Sequence, residues 1–328
     1  MPARLIPSAF IVAALAAGLA PLHGAAQDYP TRPVRVICPV PPAGLVDNAT
    51  RVITERLNTR LGQNVIIDNR PGANGALGAQ IVAQAAPDGY TLLSAVDGTM
   101  VVSLNPHIPI KKSVETLRDL IPVTKLGDAA LLLVSHPSVP AKNLAEFIKV
   151  AKTKGDAYPF GTSGVGSTTH LAGELMGQRT GVRMQHVPYK GGGQALTDVL
   201  GGQIPLVFTT VATAQQHVKA GKLTALGVSG AKRSHALPDT PTFIDSGLKG
   251  FDVSGWVGVF APAKTPRAVI DRIQKAIAEV LNEPAVRLRY DTFGIEPVGN
   301  TPERFAEQIR ADLARWAKVV KDGNIALE

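Results

Sequence analysis

The feature that most constrains this chain is a short apolar strand that passes through a proline- and glycine-containing turn into a helix. In its first instance the strand Val34–Cys38 leads into the turn 39–47, and the helix beyond carries Ala49, Val52, Ile53, Arg56, Leu57 and Leu61. Repeated strand–turn–helix units predict an α/β fold, with a parallel sheet covered by helices on both faces. Each such turn leaves the first backbone N–H groups of its helix unpaired. With the positive end of the helix dipole they form a ready site for an anion. The alternative is an ordinary βα connection that binds nothing. A second loop of the same kind, 161–170, favours the first reading: two loops face each other across a cleft and hold a carboxylate-bearing small molecule.

In chain order, a second strand over 64–68 is followed by a turn, 69–75, and a small-residue helix, 76–86. A strand over 90–95 ends at Asp97-Gly98-Thr99, at the carboxyl end where open α/β sheets place their ligands. Two extended runs, 121–124 and 131–135, have no helix between them and read as a crossing into another domain. The alternation then resumes: helix 143–154, strand 158–160, loop 161–170, a helix to Arg179, strand 186–189, and the turn Lys190 to Gly193. Helix 194–200, strand 206–208, helix 212–220 and strand 224–228 follow. The run 253–261 reads as the return crossing, and helices over 266–281, 286–290 and 302–321 close the chain. Pro266 and Pro302 suit first helical positions. The expected organisation is a hinged clamp: 27–127 in domain 1, 128–252 in domain 2, and 253–328 back in domain 1.

Two domains need two cores, and 328 residues with a 45% apolar fraction can supply them. Aromatics at 5% argue against a carbohydrate- or base-stacking surface. The net charge of +8 is scattered rather than concentrated, which points to a general attraction for anions and not to a nucleic-acid partner. Residues 1–26 read as a secretory signal: Arg4, an apolar run over 9–20, then Gly24-Ala25-Ala26. The run is short for a retained anchor, so the mature protein is expected in the periplasm. Cys38 is the only cysteine and is expected as a buried, inert thiol.

Several chemistries fail on the residues. Loop 161–170 has no lysine for a Walker A loop, and Gly164-Val165-Gly166 lacks the third glycine of a dinucleotide fingerprint. Val165 stands where a nucleophile elbow needs glycine. The seven histidines show no metal-ligand spacing, and neither metal nor cofactor is expected. What remains is a donor-rich turn: the N–H groups of Gly164 to Ser167 and the hydroxyls of Thr162, Ser163, Ser167 and Thr168. Those residues also make good helix N-caps. His170 is either a base beside Ser167 or an orienting residue, with no acid close in sequence to complete a triad. Lys190 either pairs with an anion or is a solvated lysine. Asp47 either caps its helix, holds its loop or meets the ligand.

The same residues carry a resemblance. The chain resembles the Bug-type extracytoplasmic solute receptors, the substrate-binding subunits of tripartite tricarboxylate transporters. The marks are Pro-Pro-Ala-Gly-x-x-Asp (41–47), Asn-Arg-Pro-Gly-Ala (69–73), Pro-Asp-Gly-Tyr-Thr-Leu (87–92) and Gly-x-Ser-Gly-x-Gly-Ser-x-x-His-Leu-Ala-Gly-Glu (161–174). Val-Pro-Tyr-Lys-Gly (187–191), Gly-Lys-Leu-x-Ala-Leu (221–226) and Leu-Pro-Asp-x-Pro-Thr (237–242) follow in order. The resemblance implies a two-domain, type II periplasmic-binding-protein fold hinged on two crossing segments. It implies ligand carboxylates held by backbone amides of two opposed loops, often through water. The ligand-binding residues expected on this basis are Val40, Pro42, Ala43, Gly44, Leu45, Val46, Asp47, Gly98 and Thr99. On the other side they are Thr162, Ser163, Gly166, Ser167, Thr168, His170, Tyr189, Lys190 and Thr209. Val40, Ala43, Val46, Pro205 and Thr209 depart from the family pattern, leaving the cleft roomier, more apolar and without acids to pair an ammonium. A dicarboxylate or aromatic carboxylate is therefore expected above an amino acid. The implied partners are membrane permease subunits, or a sensor kinase, served by a monomer. The rival readings are an exported hydrolase of small esters using Ser167 and His170, and a scaffold with an empty cleft.

Overall fold

The computed structural model describes residues 29–42 and 44–327. The signal segment expected over 1–26, and Ala43, lie outside them.

The first units are β1 (Val34–Cys38), α1 (Leu45–Leu61), β2 (Val65–Asn69), α2 (Ala76–Ala83) and β3 (Thr91–Val96), which runs into a π-helical turn, Gly98–Ser103. β4 (Leu120–Ser135) leads to α3 (Leu144–Lys154), β5 (Tyr158–Thr162), α4 (Thr168–Thr180), β6 (Met184–Pro188), α5 (Gly192–Leu200), β7 (Leu206–Thr210), α6 (Val211–Lys219) and β8 (Thr224–Val228). The chain closes with β9 (Ser254–Pro262), α7 (Arg267–Leu281), α8 (Pro284–Thr292), β10 (Ile295–Pro297) and α9 (Pro302–Asp322). The strands follow one path, β2-β1-β3-β9-β4-β7-β5-β6, with β8 and β10 also paired to β4. β1, β2 and β3 are mutually parallel, as are β5, β6 and β7. The inner strands β1, β3, β5 and β7 are largely buried because helices cover both faces, whereas the edge strands β2 and β6 are only partly covered. The core accordingly lies in layers: α1, α7 and α8 pack against one face of the first sheet, and α5 and α6 pack against β7 and β4 in the second.

β4 differs from expectation. The two extended runs are one strand of 16 residues, and the charged stretch that breaks the pattern is accommodated inside it. Lys125 is buried, with Nζ 2.8 Å from both Asp128 carboxylate oxygens and 2.9 Å from Gln308 Oε1. The register against β9 shifts between Pro122 and Thr124 and again between Lys125 and Gly127, absorbing the extra residues as bulges. Pro266 also departs from expectation: it precedes α7 in an extended conformation, while Pro302 does open α9. Cys38 is buried and unpaired, and burial pushes its thiol up to about 12.

The registers position the strand ends. Residues 120–130 of β4 pair with β9, and residues 131–135 pair with β7 and β8. Val96, ending β3, is level with Val257 of β9, which is level with Gly127 of β4. Thr210, ending β7, is level with Leu131. β3 and β7 therefore run toward each other along β4. At ~3.3 Å per residue their carboxyl ends are offset by about 13 Å along the direction of β4, with β9 lying between β3 and β4.

Candidate functional site

On the first side, α1 starts at Gly44 without a side-chain cap. The acid in its first turn, Asp47, is buried. It receives Arg51 Nε at 2.8 Å and a second Arg51 nitrogen at 3.0 Å, and Asn69 Nδ2 at 2.9 Å. The Asn69 amide also donates to the Val40 carbonyl at 3.1 Å. Asp47 thus anchors the 39–47 turn to the end of β2. Arg51 and Asn69 were not among the expected site residues; the only sequence signal was Asn69 opening its motif at a strand end. Pro42 is exposed, and Val40, Gly44 and Leu45 are half-buried, whereas Val46 is buried.

The turn after β3 is fastened to its neighbour. The Thr99 hydroxyl donates to the Asn74 carbonyl at 3.0 Å. A Cβ on Gly75 would sit 2.5 Å from Thr99 Oγ1, so this approach requires glycine, which here takes φ +91°.

On the second side three turns converge. A Cβ on Gly192 would lie 3.1 Å from Thr209 Oγ1 and 3.4 Å from Ser163 Oγ, bringing the ends of β5, β6 and β7 together. α5 starts without a side-chain cap at Gly191, whose φ of +145° suits glycine. Lys190 is exposed, and Tyr189 is turned aside, its hydroxyl donating to Asp198 at 2.7 Å.

Loop 161–170 corrects the donor count. The hydroxyls of Thr162, Ser167 and Thr169 satisfy groups of the loop itself. Thr162 Oγ1 accepts from the Gly164 N–H at 3.1 Å and meets His186 Nε2 at 2.7 Å. Ser167 Oγ donates to the Gly164 carbonyl at 2.7 Å and caps α4 by accepting from the His170 N–H at 3.2 Å. The Gly166 N–H donates to His170 Nδ1 at 3.2 Å, and the Ser163 N–H to Thr169 Oγ1 at 3.1 Å. The Thr168 hydroxyl donates to Asp97. Exposed Ser163 is the hydroxyl of this group that faces solvent.

His170 and His186 stack with ring centroids 3.7 Å apart. Burial lowers His170 to about 3, with the neighbouring ring adding to it, and lowers His186 to about 4. Both are therefore neutral at neutral pH. Because Nδ1 of His170 accepts a backbone N–H, its proton sits on Nε2, 3.7 Å from Glu174 Oε1 one turn along α4. An acid does lie near His170, contrary to the sequence reading, but Ser167 and His170 do not form a nucleophile–base pair. The serine is a helix cap, and the basic nitrogen already holds a proton donor.

The two sides meet at the turn after β3: a Cβ on Gly98 would lie 3.7 Å from Thr168 Oγ1 and 3.8 Å from the Gly166 carbonyl. A cavity of about 280 Å³ between α4 and α9, lined by Leu175, Gln178, Val253 and Arg315 among others, lies apart from these turns and contains none of the expected site residues. Among the described residues no cluster of three His, Cys, Asp or Glu could hold a metal, and no helix is long and apolar enough to cross a membrane.

A family model described as the tripartite tricarboxylate transporter family receptor matches residues 49–325. BugT of Bordetella pertussis is 35% identical over 328 residues, covering 99% of each protein. Rpa4515 of R. palustris, solved with adipate, superposes with a TM-score of 0.79 at 31% identity, covering 91% of this chain and 99% of that one. MatC of Rhodopseudomonas palustris, solved with bound malate, gives 0.75 at 31% identity, covering 89% and 100%. These similarities establish the two-domain periplasmic-binding-protein fold and overturn the hydrolase alternative. With its opposed strand ends and its serine committed to capping a helix, this chain belongs to the tripartite tricarboxylate transporter receptor family, a family of solute-binding receptors and not of enzymes.

Proposed function

We propose that the protein is an exported receptor that captures a small dicarboxylate between the carboxyl ends of its two sets of parallel strands and delivers it to the membrane permease subunits of a tripartite transporter. The observation that carries this reading is the confrontation of β3 and β7 along β4, with an uncapped helix start beside each set of strands, α1 and α5. Uncapped N–H groups at a helix start suit a carboxylate, and one such group on each side suits a ligand with two. The relatives solved with adipate and malate support a dicarboxylate over an aromatic monocarboxylate.

On this reading the backbone of Gly44, Leu45 and Val46 holds one end of the ligand, with Val40 and Pro42 beside it. The other end meets the Gly191–Gly192 turn and the Ser163 hydroxyl, with Lys190, Gly166 and Thr209 around them. Asp47, Thr162, Ser167 and His170 support the turns from behind, and Gly98 and Thr99 form the floor. The same reading divides the chain into 27–127 and 253–328 against 128–252, which the change of partner along β4 after Ala130 supports.

The test is a thermal-shift panel on the mature protein, followed by calorimetric titration of the hits. Four- to six-carbon dicarboxylates should raise the melting temperature most. A larger rise with glutamate or aspartate than with every plain dicarboxylate would overturn the choice of ligand class. No rise with any carboxylate would favour the scaffold.

A further inference from the structure

Asp97 is a buried acid to which neither the family resemblance nor the proposed ligand contacts give a role. It stands directly after β3, at the start of the turn in the first domain, and is 5% exposed. Its carboxylate accepts the Thr168 hydroxyl from the start of α4 in the second domain, and the backbone N–H groups of Trp256 on β9 and Gly98 in its own turn favour its charged form. Thr168 is itself 7% exposed. Those N–H groups lie within the first domain and stay beside Asp97 through any movement of the domains. The Thr168 bond crosses the gap between the strand ends, where the domains part if the clamp opens.

We propose that Thr168 and Asp97 form an interdomain latch, a hydrogen bond that holds the clamp shut and slows the escape of whatever it encloses. The latch rests on the clamp in the proposed function but not on the identity of the ligand. Thr168 therefore acts on binding through Asp97, as a positioning residue, and not by touching the ligand.

The chemistry around Asp97 makes the latch sensitive to pH. Burial is the main cause that raises its carboxyl to about 7; the Thr168 hydroxyl opposes this, and the charge of Asp312 adds to it. From α9 the charged group that reaches it is Asp312, which is tied to Trp256 Nε1 at 3.1 Å and to Arg315 at 3.3 Å. α4 presents the Thr168 hydroxyl, and β9 and the β3 turn present N–H groups. Opening would return Asp97 to water and to the ordinary carboxylate range near ~4. The closed state then binds a proton that the open state releases. Closure is favoured most at acid pH and loses that advantage as pH rises toward 7.

The experiment uses spin labels on Glu55→Cys and Lys222→Cys, exposed positions in the two domains, read as distance distributions in the ligand-free protein. The expected result is a closed population that shrinks from pH 5.5 to 8, is reduced by Thr168→Val and is restored by Thr168→Ser. Asp97→Asn keeps an acceptor without a titrating charge and should flatten the pH profile. With adipate as probe, Thr168→Val should raise the dissociation rate about tenfold with little change in association. An unchanged distance distribution in Thr168→Val at both pH values would overturn the latch. If the distances respond but adipate does not bind, the latch stands and the choice of ligand fails.

Discussion

The turn between β1 and α1 and the turn between β5 and α4 come from equivalent strand–turn–helix units, yet they treat their backbone donors in opposite ways. The first has no hydroxyl at its helix start. It is fixed from behind by Asp47, Arg51 and Asn69, and the start of α1 carries no side-chain cap. The second is crowded with Ser and Thr, and those hydroxyls bond its own amides and carbonyls. A hydroxyl-rich loop is therefore not a donor-rich one. Short polar side chains compete for the nearest backbone groups before any ligand arrives. The glycine- and proline-rich turn places a glycine, not a hydroxyl, at the cap position of its helix.

The largest effect expected from this contrast is at Asp47. Asp47→Ala removes a buried carboxylate with hydrogen bonds to Arg51 and Asn69 and should cost about 3 kcal/mol of unfolding free energy in urea. An unshifted midpoint would mean that the first turn is held by something else. Next comes Leu45→Pro. Leu45 is the first residue of α1, where proline fits, and Gly44 before it is extended, as a residue preceding proline should be. The change deletes one N–H and should weaken dicarboxylate binding by about 2 kcal/mol in calorimetry, with Leu45→Ala as the control for lost side-chain packing. Equal affinity in the two variants would remove this amide from the site.

The histidine stack tests the second turn through pH. The folded value of His170, about 3, lies below its unfolded value, so the unfolded chain binds more protons as pH falls through ~6.5. Stability should decline by about 2 kcal/mol per fully buried ring between neutrality and pH 5, and go on falling toward the folded value. His170→Gln should flatten the profile measured by denaturant titration; an identical slope would mean that the ring charges freely in the fold. The smallest effect is at Ser167. Ser167→Ala should cost about 1 kcal/mol of stability as a lost cap while leaving affinity nearly unchanged. A loss of binding larger than the loss of stability would put the hydroxyl on the ligand and dissolve the contrast between the turns.

Much of the fold was legible because its cues are local. Glycine or proline turns between apolar runs marked each unit, and Pro302 marked the start of α9. β10 was not legible, since three residues carry no periodicity and the strand exists only because β4 offers it a partner. The continuity of β4 was hidden by Lys125 and Asp128, whose charges look like a break until their pairing is seen. At the site, the turns were legible and the use of their donors was not. Ser167 could be read equally as a cap or as a ligand donor, and only the position of the Gly164 carbonyl decides between them.

By itself the sequence determined the alternation of strands and helices, the places where turns interrupt it, and the family to which those turns belong. Each of these depends on residues a few positions apart, through dihedral preference and the period of apolar side chains. The tertiary structure alone decided that β3 and β7 point toward each other across β9 and β4, that Asp47 pairs with Arg51 and Asn69, and that Thr168 reaches an acid 71 residues before it. Pairings of that range are set by strand register and by which buried polar groups can find partners once water is excluded, and neither is written in any short stretch of chain.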